Sequence, residues 1–289
     1  MGLREYLSHF ADAALWKLGM PESPLELRDP AFIRAQLPAL EALVREYHSY
    51  ELDGWENVPD GRALLVGNHN GGVMAPDMFA LMVENWRRRG VEALSYGLAH
   101  DTVFRIGPPG RVLAKMGAVP ASPQNAITLL QRDAQVLVYP GGDIDAFRAS
   151  SARDRVVFGQ RRGFVRIALR AQAPIVPVVS AGAHDGFHVL TDGAELARRF
   201  GLKRLFRVEV LPIIFSFPLG LTMGPTFYVP LPVHMKLRVL PAIHFDYGPE
   251  AADDDAIVTR CRDQVLEVMQ AALDQLTREG GFGRKPLPR

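Results

Sequence analysis

The sequence predicts an α/β fold: a mainly parallel sheet flanked by helices, with an amino-terminal helical hairpin in front of it. Three observations carry this. Short apolar runs bounded by Gly, Pro or Asn recur from about residue 62, at Ala63–Gly67, Ala93–Gly97, Gln135–Tyr139 and Pro174–Val179. Helical patterns fill the intervals, so successive strands are joined by crossovers that make the sheet parallel and cover both its faces. Before residue 50 the texture differs, with two runs at helical spacing and no strand signal.

Leu3, Leu7, Phe10, Ala14 and Leu18 form the first of those runs, and Phe32, Ile33, Leu37, Leu40, Val44 and Tyr47 the second. A turn over 21–30, bounded by Pro21 and Pro30, joins them into the hairpin. Further on, Pro76 suits the first turn of a helix, and Asp77 beside it is favoured by the helix dipole. Ser122 reads as an N-cap and Pro123 as the first-turn residue of a helix ending near Arg132. A helix over Gly163–Ala171, a late strand over Lys236–Pro241 and a closing helix over Asp253–Thr277 complete the pattern. With no repeat and no flexible linker, the expected organisation is residues 1–50 as the hairpin, a candidate membrane contact, and residues 51–289 as the α/β domain.

Composition narrows the class. Hydrophobic residues are 48% and charged residues 22% of the 289, enough for a large core and unlike a disordered chain. The balance of 33 basic against 32 acidic residues argues against a nucleic-acid binder. Cys261, the single cysteine, excludes an internal disulfide and any cysteine-built zinc or iron–sulfur site, and fits a reducing compartment. Charged residues interrupt Met1–Met20, so no secretory signal is expected. The stretch 210–233 has no charge, yet its five prolines defeat a spanning helix; it reads as irregular apolar structure, buried or dipped into a membrane surface.

The most informative segment runs from Gly67 through Asn68, His69, Asn70, Gly71 and Gly72 to Asp77. A histidine follows an apolar strand inside a glycine-rich loop, where catalytic groups of open α/β sheets collect, and an aspartate opens the next helix. Imidazole takes a proton near neutral pH and a carboxylate can fix its tautomer. The bland alternative is a capping loop in which both side chains satisfy backbone groups. Tyr139-Pro140-Gly141-Gly142-Asp143 ends another strand; its glycines either let an oxyanion or phosphate approach main-chain N–H groups or form an ordinary turn. Seven arginines, at 148, 153, 155, 161, 162, 166 and 170, follow within 24 residues. Arg148, Arg161 and Arg162 are the candidates for holding a phosphate, against a plain charged surface. The hydrolase elbow, phosphate loop, dinucleotide fingerprint and metalloprotease helix motif are all missing. His184 and His188 offer two imidazoles without a clear third ligand, so no metal site is expected.

Together, Asn68–Asp77, Gly117–Asn125, Tyr139–Asp143 and Pro174–Val178 resemble the four blocks of the glycerolipid and lysophospholipid acyltransferase family, across roughly residues 60–245. The tail beyond Phe215 is similar to the diacylglycerol acyltransferase type 2-like branch. The chain departs from the family pattern in three ways. Seven residues separate His69 from Asp77 where the family has four, so Asp101 and Asp143 stand as other carboxylates for His69. Tyr-Pro-Gly-Gly replaces Phe-Pro-Glu-Gly, and the second block lacks its arginine, which leaves neutral or zwitterionic acceptors open. The resemblance implies an acyl transfer from acyl-CoA or an acyl carrier protein to a lipid hydroxyl. His69 would be general base, Asp77 its orienting partner, and Gly141 and Gly142 the oxyanion loop. Asn68, Gly71, Gly72, Pro140 and Pro177 would support the motifs. A thioester is already activated, so neither cofactor, metal nor covalent nucleophile is implied. The expected partners are a lipid acceptor and an acyl thioester donor, with peripheral association at the cytoplasmic face of a membrane. Alternatives are a diacylglycerol acyltransferase, a hydrolase using His69, and a non-catalytic lipid-binding protein on the same scaffold.

Overall fold

The structure, a computed structural model, describes residues 24–105, 108–206 and 208–285. The first run of the hairpin therefore lies outside the described residues. The second forms α1, Pro30–Glu41, started by Asp29, whose side chain accepts the Phe32 N–H at 3.0 Å, and it continues as a π-helical turn over Ala42–Tyr47. Ile33 of α1 is buried with Trp86, Val91 and Met116, so this helix spends its apolar stripe on the body of the protein.

The main sheet contains β1 (Ser49–Asp53), β2 (Ala63–Gly67), β3 (Ser95–Ala99), β4 (Ala118–Pro120), β5 (Gln135–Val138), β6 (Ile175–Ala181), β10 (Val233–Val239) and the short β11 (Gly283–Arg284). Its order is β1-β10-β6-β2-β5-β3-β4, with β11 beside β10. The five strands from β6 to β4 are parallel; β10 runs antiparallel to β6, and β1 follows β10. The mainly parallel sheet read from the sequence is thus present, with an antiparallel edge. Every residue of β2 and β6 is buried, as a sheet covered on both faces requires.

The helices sort onto two faces. Leu64 and Val66 point to the layer of α5 (Pro123–Gln131), α7 (Gly163–Ala171) and α10 (Asp255–Glu279). Ala63 and Leu65 point to α2 (Pro76–Arg89). The chain leaves β2 toward β3 but crosses from β5 to β6 on the other side. The carboxyl end of β2 is therefore the switch point at which ligands bind in such sheets.

Two expectations need correction. Strand β3 starts at Ser95 rather than Ala93, because Ala93 closes a turn on Gly90 and gives its carbonyl to Arg28. The 210–233 stretch is partly regular: β8 (Ile213–Ser216) and β9 (Gly220–Met223) pair antiparallel with β7 (His188–Thr191) in a second sheet. Its prolines lie outside these strands, where they remove no ladder donor.

Leu64→Ala, on the central strand and fully buried, should lower stability by about 2–5 kcal/mol. A urea titration should show a lower midpoint with an unchanged slope.

Candidate active site

The loop after β2 is held from three sides. The Asn68 side-chain amide donates to the Ser180 carbonyl at 3.0 Å and its oxygen accepts the Ser180 N–H at 2.8 Å, while the Asn70 amide donates to the same carbonyl at 2.7 Å. Both asparagines therefore lock the loop to the carboxyl end of β6. Gly67 is required because a Cβ there would lie 2.4 Å from the Tyr139 ring. Gly72, at φ +53°, turns the chain back where a side chain would press on Phe147 and Phe187. The Gly71 carbonyl accepts the Met74 and Ala75 N–H groups and the Tyr228 hydroxyl, the last at 2.6 Å.

Beneath the loop lies a buried ion pair. Asp145, on the short helix α6 (Gly142–Ala146), accepts the His69 N–H at 2.5 Å, the Val157 N–H at 3.1 Å and Arg148 Nη1 at 3.1 Å. Arg148 in turn donates to the His69 carbonyl at 2.7 Å, to the Asn70 side-chain oxygen, and to the carbonyls of Asp145, Ala152 and Arg153. All five guanidinium donors are occupied inside the protein. The expectation that Arg148 holds a substrate phosphate is thereby corrected: it positions the histidine loop. Burial raises the Asp145 pKa to about 6, and the adjacent Arg148 charge opposes that rise.

His69 stands at the carboxyl end of β2, partly exposed, its ring centroid 5.0 Å from that of Tyr139. Burial lowers its pKa to about 4, so the imidazole is neutral near pH 7. Asp77 is buried at the start of α2; its Oδ1 accepts the Met78 N–H at 3.0 Å, and burial pushes its pKa up to about 7. No hydrogen bond joins His69 to Asp77. Instead the Ser180 side chain hydrogen-bonds the Asp77 carboxyl and opposes the rise in its pKa, while His69 Nδ1 is buried without a close hydrogen-bond partner. Asp143, the other carboxylate of the glycine block, is committed elsewhere: it accepts from Arg161 at 2.5 Å and from the Glu209 N–H at 2.5 Å.

The remaining residues are less concentrated. The Gly142 N–H donates to the Tyr139 carbonyl at 3.0 Å, which takes it out of the oxyanion loop in this conformation. Gly141 and Pro140 give their carbonyls to Arg161 Nη1, at 2.6 and 3.4 Å. Arg161 also bonds Glu209 at 3.0 Å, and Arg162 bonds Thr259 and Asp255. Both face protein partners where free guanidinium groups were expected. Pro177 lies opposite Val66 in the β2–β6 ladder and accepts the Leu240 N–H at 2.9 Å, so it supports the strand under the site. His184 is buried on the Arg148 carbonyl while His188 is exposed, so the two do not share a site. Sequence reasoning missed Asp145, Ser180 and Tyr228. Asp145 stands only two residues from Asp143 in a block read for its glycines. The arrangement offers a neutral imidazole, a buried carboxylate and a rigid loop, a set suited to moving one proton.

Arg148→Met would strand the Asp145 charge and should cost about 3–5 kcal/mol in a denaturant titration. Asp145→Asn with Arg148→Met should cost less than the sum of the single changes, because each removes the other's unpaired charge.

Comparison with known proteins bears on these residues. A family model described as Acyltransferase matches residues 49–181. An uncharacterized protein of Mycobacterium tuberculosis is 34% identical over 251 residues, 86% of this chain and 67% of its own length. A human protein named as a DGAT1/2-independent enzyme synthesizing storage lipids is 29% identical over 176 residues, 61% of this chain and 52% of its own. The crystal structure of the 1-acyl-sn-glycerophosphate (LPA) acyltransferase PlsC from Thermotoga maritima has a TM-score of 0.51 at 15% identity. The match covers 94% of this chain and 89% of that one, a likeness of fold.

Proposed function

The chain belongs to the acyltransferase family, and on that premise we propose that it moves a fatty acyl group from an acyl thioester to a hydroxyl of a lysophospholipid or other glycerolipid. The observation that carries this reading is the placement of His69, its Nδ1 buried and unpartnered, in the loop directly after β2, with Asp77 buried at the start of the helix that follows. A buried polar atom without a partner is costly, so the unpaired Nδ1 calls for one. Pairing it with Asp77 would hold the imidazole in one tautomer with Nε2 free for the acceptor hydroxyl.

In this reaction Nε2 takes the hydroxyl proton as the oxygen attacks the thioester carbon. The C–S bond then breaks and the thiolate leaves with that proton. Asp77 stabilises the transient imidazolium, which a base with a pKa of about 4 needs. The tetrahedral oxyanion is met by main-chain N–H groups of the Gly141 loop, with Gly142 contributing only if its bond to Tyr139 opens. The donor is acyl-CoA or an acyl carrier protein; no cofactor or metal enters the scheme. The protein works at a membrane, where its acceptor resides.

A second reading, a diacylglycerol acceptor giving neutral lipid, is favoured by one observation. Arg148 spends all its donors inside the protein and Arg161 is paired with Asp143 and Glu209, which leaves the part-exposed Arg162, beside Asp255, as the one of the three open to an acceptor phosphate. The human relative, named for storage-lipid synthesis, points the same way.

The test is thiol release from long-chain acyl-CoA with and without lysophospholipid or diacylglycerol. His69→Ala should lower acceptor-dependent release by about 10²–10⁴-fold. Release that persists unchanged in His69→Ala would overturn the assignment of the base, and release without any acceptor would indicate a hydrolase.

The pH profile supplies a further prediction. The ionised form of Asp77 is the one that supports the imidazolium, and it is lost as pH falls through about 7. Activity should therefore rise with pH through about 7, well above the His69 transition near 4. Initial rates across pH should show that limb in wild type and lose it in Asp77→Asn.

A further inference from the structure

The second sheet is apolar on both faces. Its inner face, with Val189 and Ile214, packs against Phe147, Phe187 and Tyr228. On the outer face, Phe215 lies opposite both His188 and Leu221, and Ile213 lies opposite Met223, so these side chains form one continuous patch. Phe215, Leu221 and Met223 are 60, 65 and 63% exposed, and Phe217 at the hairpin tip is 60% exposed. Large side chains this exposed and this close together are unusual on a protein surface and mark an interaction site.

Charge identifies the occupant. From Val210 to Val233 the chain carries no charged residue. Two short helices, α8 (Ala194–Arg199) and α9 (Leu202–Phe206), lead from β7 toward β8 and expose Arg198 and Lys203, paired with Glu195 and Glu209, and Arg199 and Arg204 beside them. The segment from His188 to Val229 holds five basic residues against Asp192, Glu195 and Glu209. An uncharged aromatic tip with basic shoulders matches the profile of a bilayer surface, acyl chains below and anionic headgroups above. A second copy of this chain fits less well, because a two-fold contact would bring each basic shoulder toward its own image.

We propose that the outer face of β7–β8–β9, with its tip, inserts into the headgroup–acyl boundary of an anionic phospholipid bilayer. The sheet is tied to the histidine loop: the Tyr228 hydroxyl donates to the Gly71 carbonyl at 2.6 Å, and Tyr228 stacks on Phe187 with centroids 4.8 Å apart. The anchor thus sets the height of His69 above the bilayer. This deepens the proposed function and rests on it only for the acceptor's source; the test reads membrane partition rather than turnover, so the two readings fail separately.

Full-length protein is floated with vesicles of phosphatidylcholine, with and without phosphatidylglycerol. Wild type should favour the anionic vesicles and lose binding as salt rises. Phe215→Ser, Leu221→Ser and Met223→Ser together replace exposed side chains only, so the fold is kept, and partition should fall about tenfold or more. As a second measurement, the fluorescence added by Phe217→Trp should be quenched by brominated lipid, and that added by Val268→Trp, on α10, should not. Unchanged partition of the triple variant, or an unquenched Trp at position 217, would overturn the proposal. So would a wild-type dimer that the triple change converts to monomer without altering vesicle binding, which would assign the face to a second copy.

Discussion

Arg148 and Asp145 are both buried, and removing two charges from water is tolerated only when each is paired and fully hydrogen-bonded. Here the bonds that satisfy the pair are the ones that shape the site. Asp145 takes the main-chain N–H of His69, and Arg148 takes its carbonyl together with the side chain of Asn70. A histidine loop that would otherwise have several backbone conformations is thus fixed at both ends of one residue. The same arginine accounts for the order of the chain that follows, since it gathers the carbonyls of Ala152 and Arg153 around its own plane.

That use of Arg148 has an electrostatic consequence. A guanidinium spent entirely on the protein keeps positive potential close to His69 without being available to a ligand, and its charge is one cause of the lowered imidazole pKa. Near pH 7 the histidine is neutral and Asp77, its pKa raised to about 7 by burial, is only partly ionised. The engagement of Arg161 with Asp143 and Glu209 likewise commits its charge to protein groups.

The fold was largely legible because its central strands are buried on both faces and therefore spelled as short runs of Val, Leu and Ile. Ala63–Gly67 and Gly163–Ala171 were found to the residue, and Ser122 caps its helix on the Asn125 N–H as the sequence implies. β1 was not legible, since Ser49–Asp53 mixes polar and apolar residues at a sheet edge. The second sheet hid for the opposite reason. A strand apolar on both sides shows no alternation, and prolines on either side made it look irregular. At the site, His69 and Asp77 could be picked out because they sit beside glycines at a strand end. Asp145 and Ser180 could not, because their contribution depends on long-range contacts across the sheet that leave no local pattern.

The two apolar surfaces of that second sheet explain one another. Its inner side must bury Val189 and Ile214 against Phe147 and Phe187 to hold the Tyr228 hydroxyl on Gly71, so it has to be hydrophobic for the histidine loop to keep its shape. A three-stranded sheet with one such face would normally turn a polar side to water. Here the outer side keeps Phe215, Leu221 and Met223 in spite of the solvation penalty, and among the described residues none covers them. Because Tyr228 ties the inner side to the loop, whatever covers the outer side is held at a set distance from His69, and substrate entry and surface attachment become one geometric problem.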